Sequence, residues 1–214
     1  MRLVMPRLYV ILDAARMTHS SEATAGQLIE AGVRALQYRN KGAGAREMLR
    51  DARAVAERAR AGGAEFFVND RPDIAVLAGA SGVHVGQEDL SVEQARAVVG
   101  QSRWVGVSTH NQEQFRAAML TTADYIAVGP VFATNSKENP DPVVGTEFLR
   151  KMRPLTAKTI VAIGGITLER AGEVIAAGAD SVAVISDILL AAEPARRAAE
   201  FLRILEAAKP AARD

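Results

Sequence analysis

The 214-residue sequence has no cysteine, a single tryptophan and few other aromatic residues. The absence of cysteine excludes disulfides, thiolate nucleophiles and cysteine-ligated metal sites, and it favours a reducing compartment. The formal net charge is only +1 and no basic stripe is interleaved with aromatic residues, so a nucleic-acid partner is not expected. No apolar run approaches the roughly 20 residues that span a bilayer. These absences predict a cytoplasmic protein with neither a nucleic-acid nor a membrane partner.

Alanine and other aliphatic residues are abundant, and 49% of the chain is apolar. Short β-rich runs alternate with longer helical stretches rich in Ala, Arg and Glu from one end to the other. The first run, Leu8 to Leu12, stops at Asp13 and is a better strand than a signal peptide. The strands are predicted to begin near Leu8, Ala35, Phe66, Gly82, Trp104, Tyr125, Thr159 and Ser181.

A recurring junction supports this count of eight strands. Ala31-Gly32, Ala78-Gly79 and Ala177-Gly178 each precede a strand, and a left-handed glycine commonly ends a helix. Eight βα units predict an α/β protein, a single (β/α)8 TIM barrel over residues 1–214. An open doubly wound sheet is the alternative, but Asp13-Ala14-Ala15 stands where a dinucleotide-binding fold would have glycines. In such a barrel, the loops after the strand carboxyl ends form the active site.

Cationic side chains follow the second predicted strand. Gln37, Arg39 and Lys41 are spaced by two, so on an extended strand they share one side and point together into the barrel mouth. Arginine binds phosphate oxygens with its planar fork and lysine adds a point charge, a suitable pair for a pyrophosphate. The alternative is a structural Arg39 that pairs with a carboxylate of the next strand.

Two aspartates end neighbouring strands, and they are the candidate magnesium ligands. Asp70 and Asp89 would stand close together at adjacent strand tips, and Mg²⁺ takes carboxylate oxygens while bridging to substrate phosphates. The alternative is that both cap helices, since each is followed by a helical segment. Asn69 either donates its amide to a phosphate or ring nitrogen, or caps a turn.

The fourth and fifth strands carry His84, Ser108 and His110. His84 lies among valines, and we interpret it as a satisfied core histidine without chemistry. Ser108 follows Gly106 on the same face, which predicts room for a ligand above the glycine. A Ser108–His110 nucleophile pair has no evident third member, so hydrogen bonding to a ligand is the favoured role of Ser108.

The loop after the sixth strand predicts a lid, and the tips of the last two strands predict a second phosphate site. The stretch from Gly129 to Gly145 is longer than an ordinary βα loop, and its hydroxyls and lysine favour a lid over the catalytic face. A disordered surface loop is the alternative. Gly164-Gly165 and Ser186-Asp187 end the last two strands, where barrels commonly bind phosphate with backbone N–H groups.

The motifs QYRNK, VNDRPDIA, GVHVGQEDL, GVSTH, GPVFATNSK, AIGGI and AVIS occur in this order. Together they closely resemble the thiamine phosphate synthase family over nearly the whole chain, from Leu8 to about Leu205. The resemblance implies a single (β/α)8 barrel and a transferase. That transferase joins 4-amino-2-methyl-5-hydroxymethylpyrimidine pyrophosphate to a thiazole phosphate, giving thiamine phosphate and pyrophosphate.

The resemblance also implies a role for each matched residue. The pyrimidine pyrophosphate would be bound by Gln37, Tyr38, Arg39, Asn40, Lys41, Asn69, Ser108 and Lys137. The thiazole phosphate would be bound by Thr134, Asn135, Ser136, Gly165, Ile185 and Ser186. Mg²⁺ would be held by Asp70 and Asp89, and the catalytic residues would be Arg39, Lys41, Lys137 and Ser108.

The reaction that the resemblance implies is dissociative, since pyrophosphate departs first and the aminopyrimidine stabilises the methylene cation. The attacking thiazole nitrogen has no proton to lose, so no general base is required. Catalysis would come from charge stabilisation of the leaving group and from holding both rings together.

Two other functions stay open at this point. A thiazole tautomerase of the same barrel would need a base such as His110 but not the magnesium carboxylates, and a catalytically idle barrel would only bind a phosphorylated metabolite. Asn40 and Ala133 replace an acidic residue and a proline that are common in the family motifs. The carboxylation of the thiazole acceptor and a homo-oligomeric state are left undecided.

Overall fold

The structure, a computed structural model, describes residues 4–134 and 141–210. Over these residues eight parallel strands close into a barrel in sequence order, each pairing with the next and the last with the first. The strands are β1 Leu8–Asp13, β2 Ala35–Arg39, β3 Glu65–Asn69, β4 Gly82–Val85, β5 Trp104–Thr109, β6 Tyr125–Val128, β7 Thr159–Ile163 and β8 Ser181–Val184. The predicted (β/α)8 barrel is confirmed, and the open sheet is excluded. Of the predicted starts only that of β3 differs, by one residue.

Helices follow the strands and form the outer layer. They are α1 Ser21–Glu30, α2 Ala45–Ala61, α3 Pro72–Ala78, α4 Val92–Val99, α5 Gln112–Met119, α6 Gly145–Met152, α7 Leu168–Ala176, α8 Ser186–Leu189 and α9 Pro194–Ala207. Within the described residues none of them is long and apolar enough to cross a membrane. Gly32, Gly79 and Gly178 all have positive φ angles, which confirms the predicted helix-to-strand junctions.

Helix α2 shows how the alanine-rich composition determines the packing of the helices against the barrel. Its buried side is formed by Met48, Ala52, Val55, Ala56 and Ala59, positions that recur at helical spacing along one face. Because most of these side chains are small, the helix lies close against the sheet. Alanine abundance and aromatic scarcity therefore have a direct structural counterpart in the layer between helices and barrel.

Aromatic rings fill the lower lumen of the barrel. Tyr9, Phe67 and Tyr125 pack edge to face, with ring centroids 5.4, 5.7 and 6.2 Å apart. Tyr125 is the register partner of Gly106, and a Cβ on Gly106 would lie 1.9 Å from the Tyr125 ring. The expected room for a ligand above Gly106 is therefore wrong, since the Tyr125 ring occupies it.

Ion pairs between buried arginines and partly buried aspartates close the amino-terminal end of the barrel. Asp180 precedes β8 and accepts hydrogen bonds from the Ile160 N–H at 2.9 Å and from Arg153 at 2.8 Å. Asp124 precedes β6 and is bound in the same way by the Val105 N–H and by Arg96, at 2.7 and 2.5 Å. Each aspartate thus ties the loop before its strand to the preceding strand.

We expect Arg153→Met to lower the free energy of unfolding by about 3 kcal/mol, because it removes a buried guanidinium from its partly buried carboxylate partner. Urea unfolding measures this change. The double variant Arg153→Met/Asp180→Asn should recover most of the loss. Because both residues lie opposite the catalytic face, catalytic rates should stay at the wild-type level in both variants. A folded variant with impaired turnover would contradict this separation of stability from activity.

Candidate active site

A cavity of about 600 Å³ opens at the carboxyl ends of the strands, where the barrel fold predicts the active site. Its floor lies directly above the aromatic layer of the lumen. Gln37, Asn69, His84 and Ser108 make one part of this cavity polar, whereas apolar side chains such as Ile11, Ile163 and Ala183 line another part. The predicted site residues that line it are Gln37, Arg39, Asn69, Ser108, Thr134, Gly165, Ile185 and Ser186.

The five residues Gln37 to Lys41 are divided by the structure. Gln37 and Arg39 face the cavity, whereas Arg39, Asn40 and Lys41 line a second cavity of about 740 Å³ beside the β1 and β2 loops. Arg39 lies between the two cavities. Tyr38 points the other way, into the helical layer, where its hydroxyl is 3.2 Å from Asp51 of α2. The structure therefore does not bring the Tyr38 side chain to either cavity.

Arg39 pairs with a carboxylate of the preceding strand, whereas the structural alternative drawn from the sequence expected one on the next strand. Its Nη1 is 2.6 Å from the Asp13 carboxylate, and the two residues are register partners on β1 and β2. Asp13 is buried, and its other oxygen accepts the Ala15 N–H at 3.1 Å. The pair holds the guanidinium at the wall of the cavity while Arg39 also lines that cavity. Structural pairing and ligand binding are thus compatible for this residue.

Asp70 and Asp89 come together at the rim, beside Lys41. Neither is a helix N-cap, since Arg71 and Ser91 occupy those positions. The Lys41 ammonium is 3.4 Å from the Asp70 carboxylate. Burial and the facing Asp89 carboxyl raise the pKa of Asp70 to about 6, against the opposing effect of Lys41. The Asp89 carboxyl is therefore held close enough to oppose the ionisation of Asp70.

This pair fits a magnesium ion that also takes oxygens from a substrate. Among the described residues no group of three or more His, Asp or Glu side chains is arranged to hold a metal, so the protein alone offers a small ligand set. Mg²⁺ is commonly bound by one or two carboxylates, with water and substrate phosphates completing its octahedron. Asp89 is oriented by the Gly86 N–H, 2.7 Å from its carboxylate.

The predicted thiazole phosphate residues form the opposite wall. Gly165, Ile185 and Ser186 lie together there, and Thr134 reaches the same cavity. A Cβ on Gly165 would lie 2.3 Å from the Ala133 carbonyl oxygen. The absent side chain at Gly165 thus admits the loop after β6 rather than an anion directly, which refines the role that the sequence suggested for this glycine.

The loop after β6 is fixed where it leaves and rejoins the barrel. The Val131 and Phe132 N–H groups donate to Ile163 and Gly164 at 2.9 and 3.0 Å, and Val144 N–H donates to Pro130 at 2.9 Å. Asn135, Ser136 and Lys137 lie outside the described residues, so their predicted binding and catalytic roles stay predictions. The lid function of this loop also stays a prediction.

Three cavity residues were missed or given no role by the sequence interpretation. His84 faces the cavity floor, and Arg16 and Arg170 add cations to the lining. Arg170 donates to the Gly165 carbonyl at 3.1 Å and lies 4.6 Å from the Phe132 ring centroid. The alternation of His84 with outward-facing Val83 and Val85 was a usable signal for its inward orientation. Arg170 lies in the first turn of α7, and no sequence pattern distinguished it from a surface arginine.

This fold and this cavity are those of a (β/α)8-barrel enzyme. The family model described as thiamine monophosphate synthase matches residues 8–188. A thiamine-phosphate synthase of Koribacter versatilis is 53% identical over 95% of this chain and 97% of its own length, and one of Chloroflexus aurantiacus is 40% identical over 93% and 92%. The solved thiamine phosphate pyrophosphorylase of Pyrococcus furiosus has a TM-score of 0.85 and 34% identity, covering 94% and 95% of the two chains. The chain belongs to the thiamine monophosphate synthase family.

Proposed function

We propose that the protein condenses 4-amino-2-methyl-5-hydroxymethylpyrimidine pyrophosphate with a thiazole phosphate to form thiamine phosphate and pyrophosphate. The observation that carries the proposal is the placement of charge around one cavity. Arg39 lines this cavity and Lys41 lines the adjoining one, with the Asp70–Asp89 pair beside Lys41. Gly165 and Ser186 lie on the opposite wall. Two anionic groups can then bind on opposite sides of a single space that holds both rings.

In this proposal the pyrimidine ring lies on the cavity floor against Gln37, Asn69 and Ser108. Its pyrophosphate extends to Arg39 and Lys41, whose charges stabilise the departing group more strongly as its negative charge grows. Asp70 and Asp89 would hold Mg²⁺, which when bound neutralises charge on the same pyrophosphate. The thiazole phosphate is held by Thr134, Ile185 and Ser186, with Gly165 admitting the loop after β6, so that the ring nitrogen faces the reacting carbon. Lys137, Asn135 and Ser136 are assigned to the site by the family motif alone.

The geometry of His110 argues against the tautomerase alternative. Its Nδ1 is 2.6 Å from the Gly129 carbonyl oxygen and donates to it, and its Nε2 is 3.5 Å from the Asp141 carboxylate. Through Nδ1, His110 anchors the loop after β6, which is a structural task that needs no proton transfer. The carboxylate pair at the rim would also have no task in tautomerisation.

The test is a two-substrate assay with and without magnesium. Purified protein should release pyrophosphate and form thiamine phosphate only when both substrates and Mg²⁺ are present, and EDTA should abolish both products. Aromatisation of a thiazole phosphate without the pyrimidine substrate would support the tautomerase instead. Substrate binding without any product would identify an idle barrel, and magnesium-independent turnover would remove the metal from the proposal.

The sequence predictions of a single domain over residues 1–214, of a cytoplasmic location and of no nucleic-acid or membrane partner are kept as part of this proposal. The partners that it names are small phosphorylated substrates. Size-exclusion chromatography with light scattering decides whether the protein is a monomer or a homo-oligomer.

A further inference from the structure

A continuous chain of side-chain hydrogen bonds crosses the barrel lumen beneath the cavity. Gln37 Nε2 is 2.9 Å from the Tyr9 hydroxyl, which is 3.2 Å from the Tyr125 hydroxyl. The Tyr125 hydroxyl is 3.0 Å from His84 Nδ1, and His84 Nε2 is 2.8 Å from the Ser108 hydroxyl. We call this chain of five side chains the relay. Its two ends, Gln37 and Ser108, both line the cavity.

The members of the relay are fixed by packing. Tyr9, Gln37 and Tyr125 are almost completely buried, and the His84 ring stacks on Tyr125 at 5.5 Å with an interplanar angle of 22°. Burial raises the pKa of Tyr9 and of Tyr125 well above the ordinary value. Both phenols therefore keep their protons, and each has exactly one O–H to donate.

With a neutral His84, the donors and acceptors can be ordered in two ways only. If the Gln37 amide nitrogen donates to Tyr9, then Tyr9 donates to Tyr125, Tyr125 to His84 Nδ1, and His84 Nε2 to Ser108. The Gln37 amide oxygen and the Ser108 proton are then left for the cavity. If Ser108 donates to His84 instead, every bond reverses, and the Gln37 amide must turn over to accept the Tyr9 proton.

A mixed arrangement leaves a buried hydroxyl proton or lone pair unmatched, which is costly in the lumen. The two ends of the relay are consequently linked. When Gln37 offers an acceptor to the cavity, Ser108 offers a donor, and when Gln37 offers a donor, Ser108 offers an acceptor. In either order, the relay ends give the cavity floor one hydrogen-bond donor and one acceptor.

We propose that Tyr9, Tyr125 and His84 are positioning residues, whose relay gives Gln37 and Ser108 opposite hydrogen-bonding character so that they bind the edge of an aminopyrimidine ring. An exocyclic amino group donates and a neighbouring ring nitrogen accepts, which is the pattern that the floor complements. This inference rests on the proposed function, since it concerns the pyrimidine side of that site. The three residues act through Gln37 and Ser108 and need not touch the ring.

The test removes one hydroxyl from the middle of the relay. Calorimetric titration with the aminopyrimidine pyrophosphate, without the second substrate, should show binding about fivefold to tenfold weaker in Tyr125→Phe than in wild type, the effect of one hydrogen bond. In the steady-state assay the KM for this substrate should rise by a similar factor, while the KM for the thiazole phosphate stays unchanged. Tyr9→Phe should give the same result if Tyr125→Phe fails to fold.

A double-variant comparison separates positioning from mere structural support. In a Ser108→Ala background the relay has lost one end, so adding Tyr125→Phe should weaken binding by much less than it does in wild type. The matched control is Thr109→Val. Thr109 is buried on the opposite face of β5, and its hydroxyl donates to the Ala127 carbonyl at 2.9 Å. This variant should lower stability without changing either KM.

Each outcome bears on a definite claim. The relay would be overturned if folded Tyr125→Phe and Tyr9→Phe bind with wild-type affinity. It would also be overturned if the effects of Tyr125→Phe and Ser108→Ala on affinity multiply fully, or if both KM values rise equally. If wild type binds the aminopyrimidine but forms no thiamine phosphate, the proposed function fails while the binding comparison still tests the relay. No binding by wild type would overturn both.

Discussion

Asp70→Asn is expected to stabilise the metal-free protein and nearly abolish its turnover. The asparagine removes a carboxylate that opposes Asp89 across the rim, and asparagine tolerates the left-handed backbone that Asp70 adopts, with φ of 62°. We expect a gain of about 1–2 kcal/mol in the free energy of unfolding at pH 8, below the full effect of the raised pKa because the Lys41 ion pair is lost as well. Thermal unfolding of wild type and variant in EDTA measures this gain in stability.

The sign of this effect follows from the direction of the pKa shift. The Asp70 pKa is raised from 3.8 to about 6, so folding disfavours the ionised carboxylate. The penalty is absent below about pH 4, grows as the pH rises, and is complete above about pH 6. The gain from Asp70→Asn should accordingly shrink by about half at pH 5. If the gain in the free energy of unfolding does not depend on pH, it comes from the backbone conformation at residue 70 and not from the lost carboxylate charge.

Turnover of Asp70→Asn at limiting magnesium should fall by about 10²–10³-fold, the usual scale for losing metal-assisted charge stabilisation. Mg²⁺ should raise the melting temperature of wild type but not of the variant. The matched control is Asp73→Asn, three residues on, where Arg71 lowers the pKa of the aspartate by hydrogen bonding. This control should lose a little stability and keep its response to magnesium. Full activity in Asp70→Asn would remove Asp70 from the metal site.

Arg39→Met should impair both stability and activity, for separable reasons. The substitution leaves the buried Asp13 carboxylate without its partner at 2.6 Å, which should cost about 3–5 kcal/mol in urea unfolding. It also removes a cation from the proposed pyrophosphate site, which should lower kcat/KM by about 100-fold or more.

The double variant Asp13→Asn/Arg39→Met distinguishes the two roles. Removing both charges should restore most of the stability, because no unpaired carboxylate remains, while kcat/KM should stay low. The double variant Arg153→Met/Asp180→Asn is the matched control at the other end of the barrel. Recovery of activity together with stability in Asp13→Asn/Arg39→Met would show that Arg39 supports the fold alone.

The strand pattern could be predicted because each strand is a short apolar run with punctuation at both ends. Alternation along the strands also identifies the inward side chains, including Gln37, Arg39 and Ser108. The same rule applied to His84 would have placed it beside Ser108, but the apolar neighbours on either side favoured a core position. For His84, the valines on either side were given more weight than the alternation of side chains along the strand. The alternation was the better guide.

Other parts of the site depend on contacts between distant segments. The pairing of Arg39 with Asp13 follows from the register of β1 against β2, which the sequence does not specify. The closeness of Asp70 and Asp89 was predicted from their adjacent strand tips, but the left-handed backbone of Asp70 was not, since nothing in its neighbours indicates it. Ser91, with Gln94 as its capping-box partner, was the better cap signal and would have weakened the helix-cap alternative for Asp89.

The close approach of Tyr125 to Gly106 has a consequence for attempts to redesign this enzyme. With 1.9 Å between a would-be Cβ at 106 and the ring, no residue larger than glycine fits there while Tyr125 is present. A smaller residue at 125 would open that space and interrupt the hydrogen bonds below the cavity. Single-site saturation libraries should therefore accept nothing larger than glycine at 106 and no small residue at 125, and only paired libraries can create space at this level of the barrel.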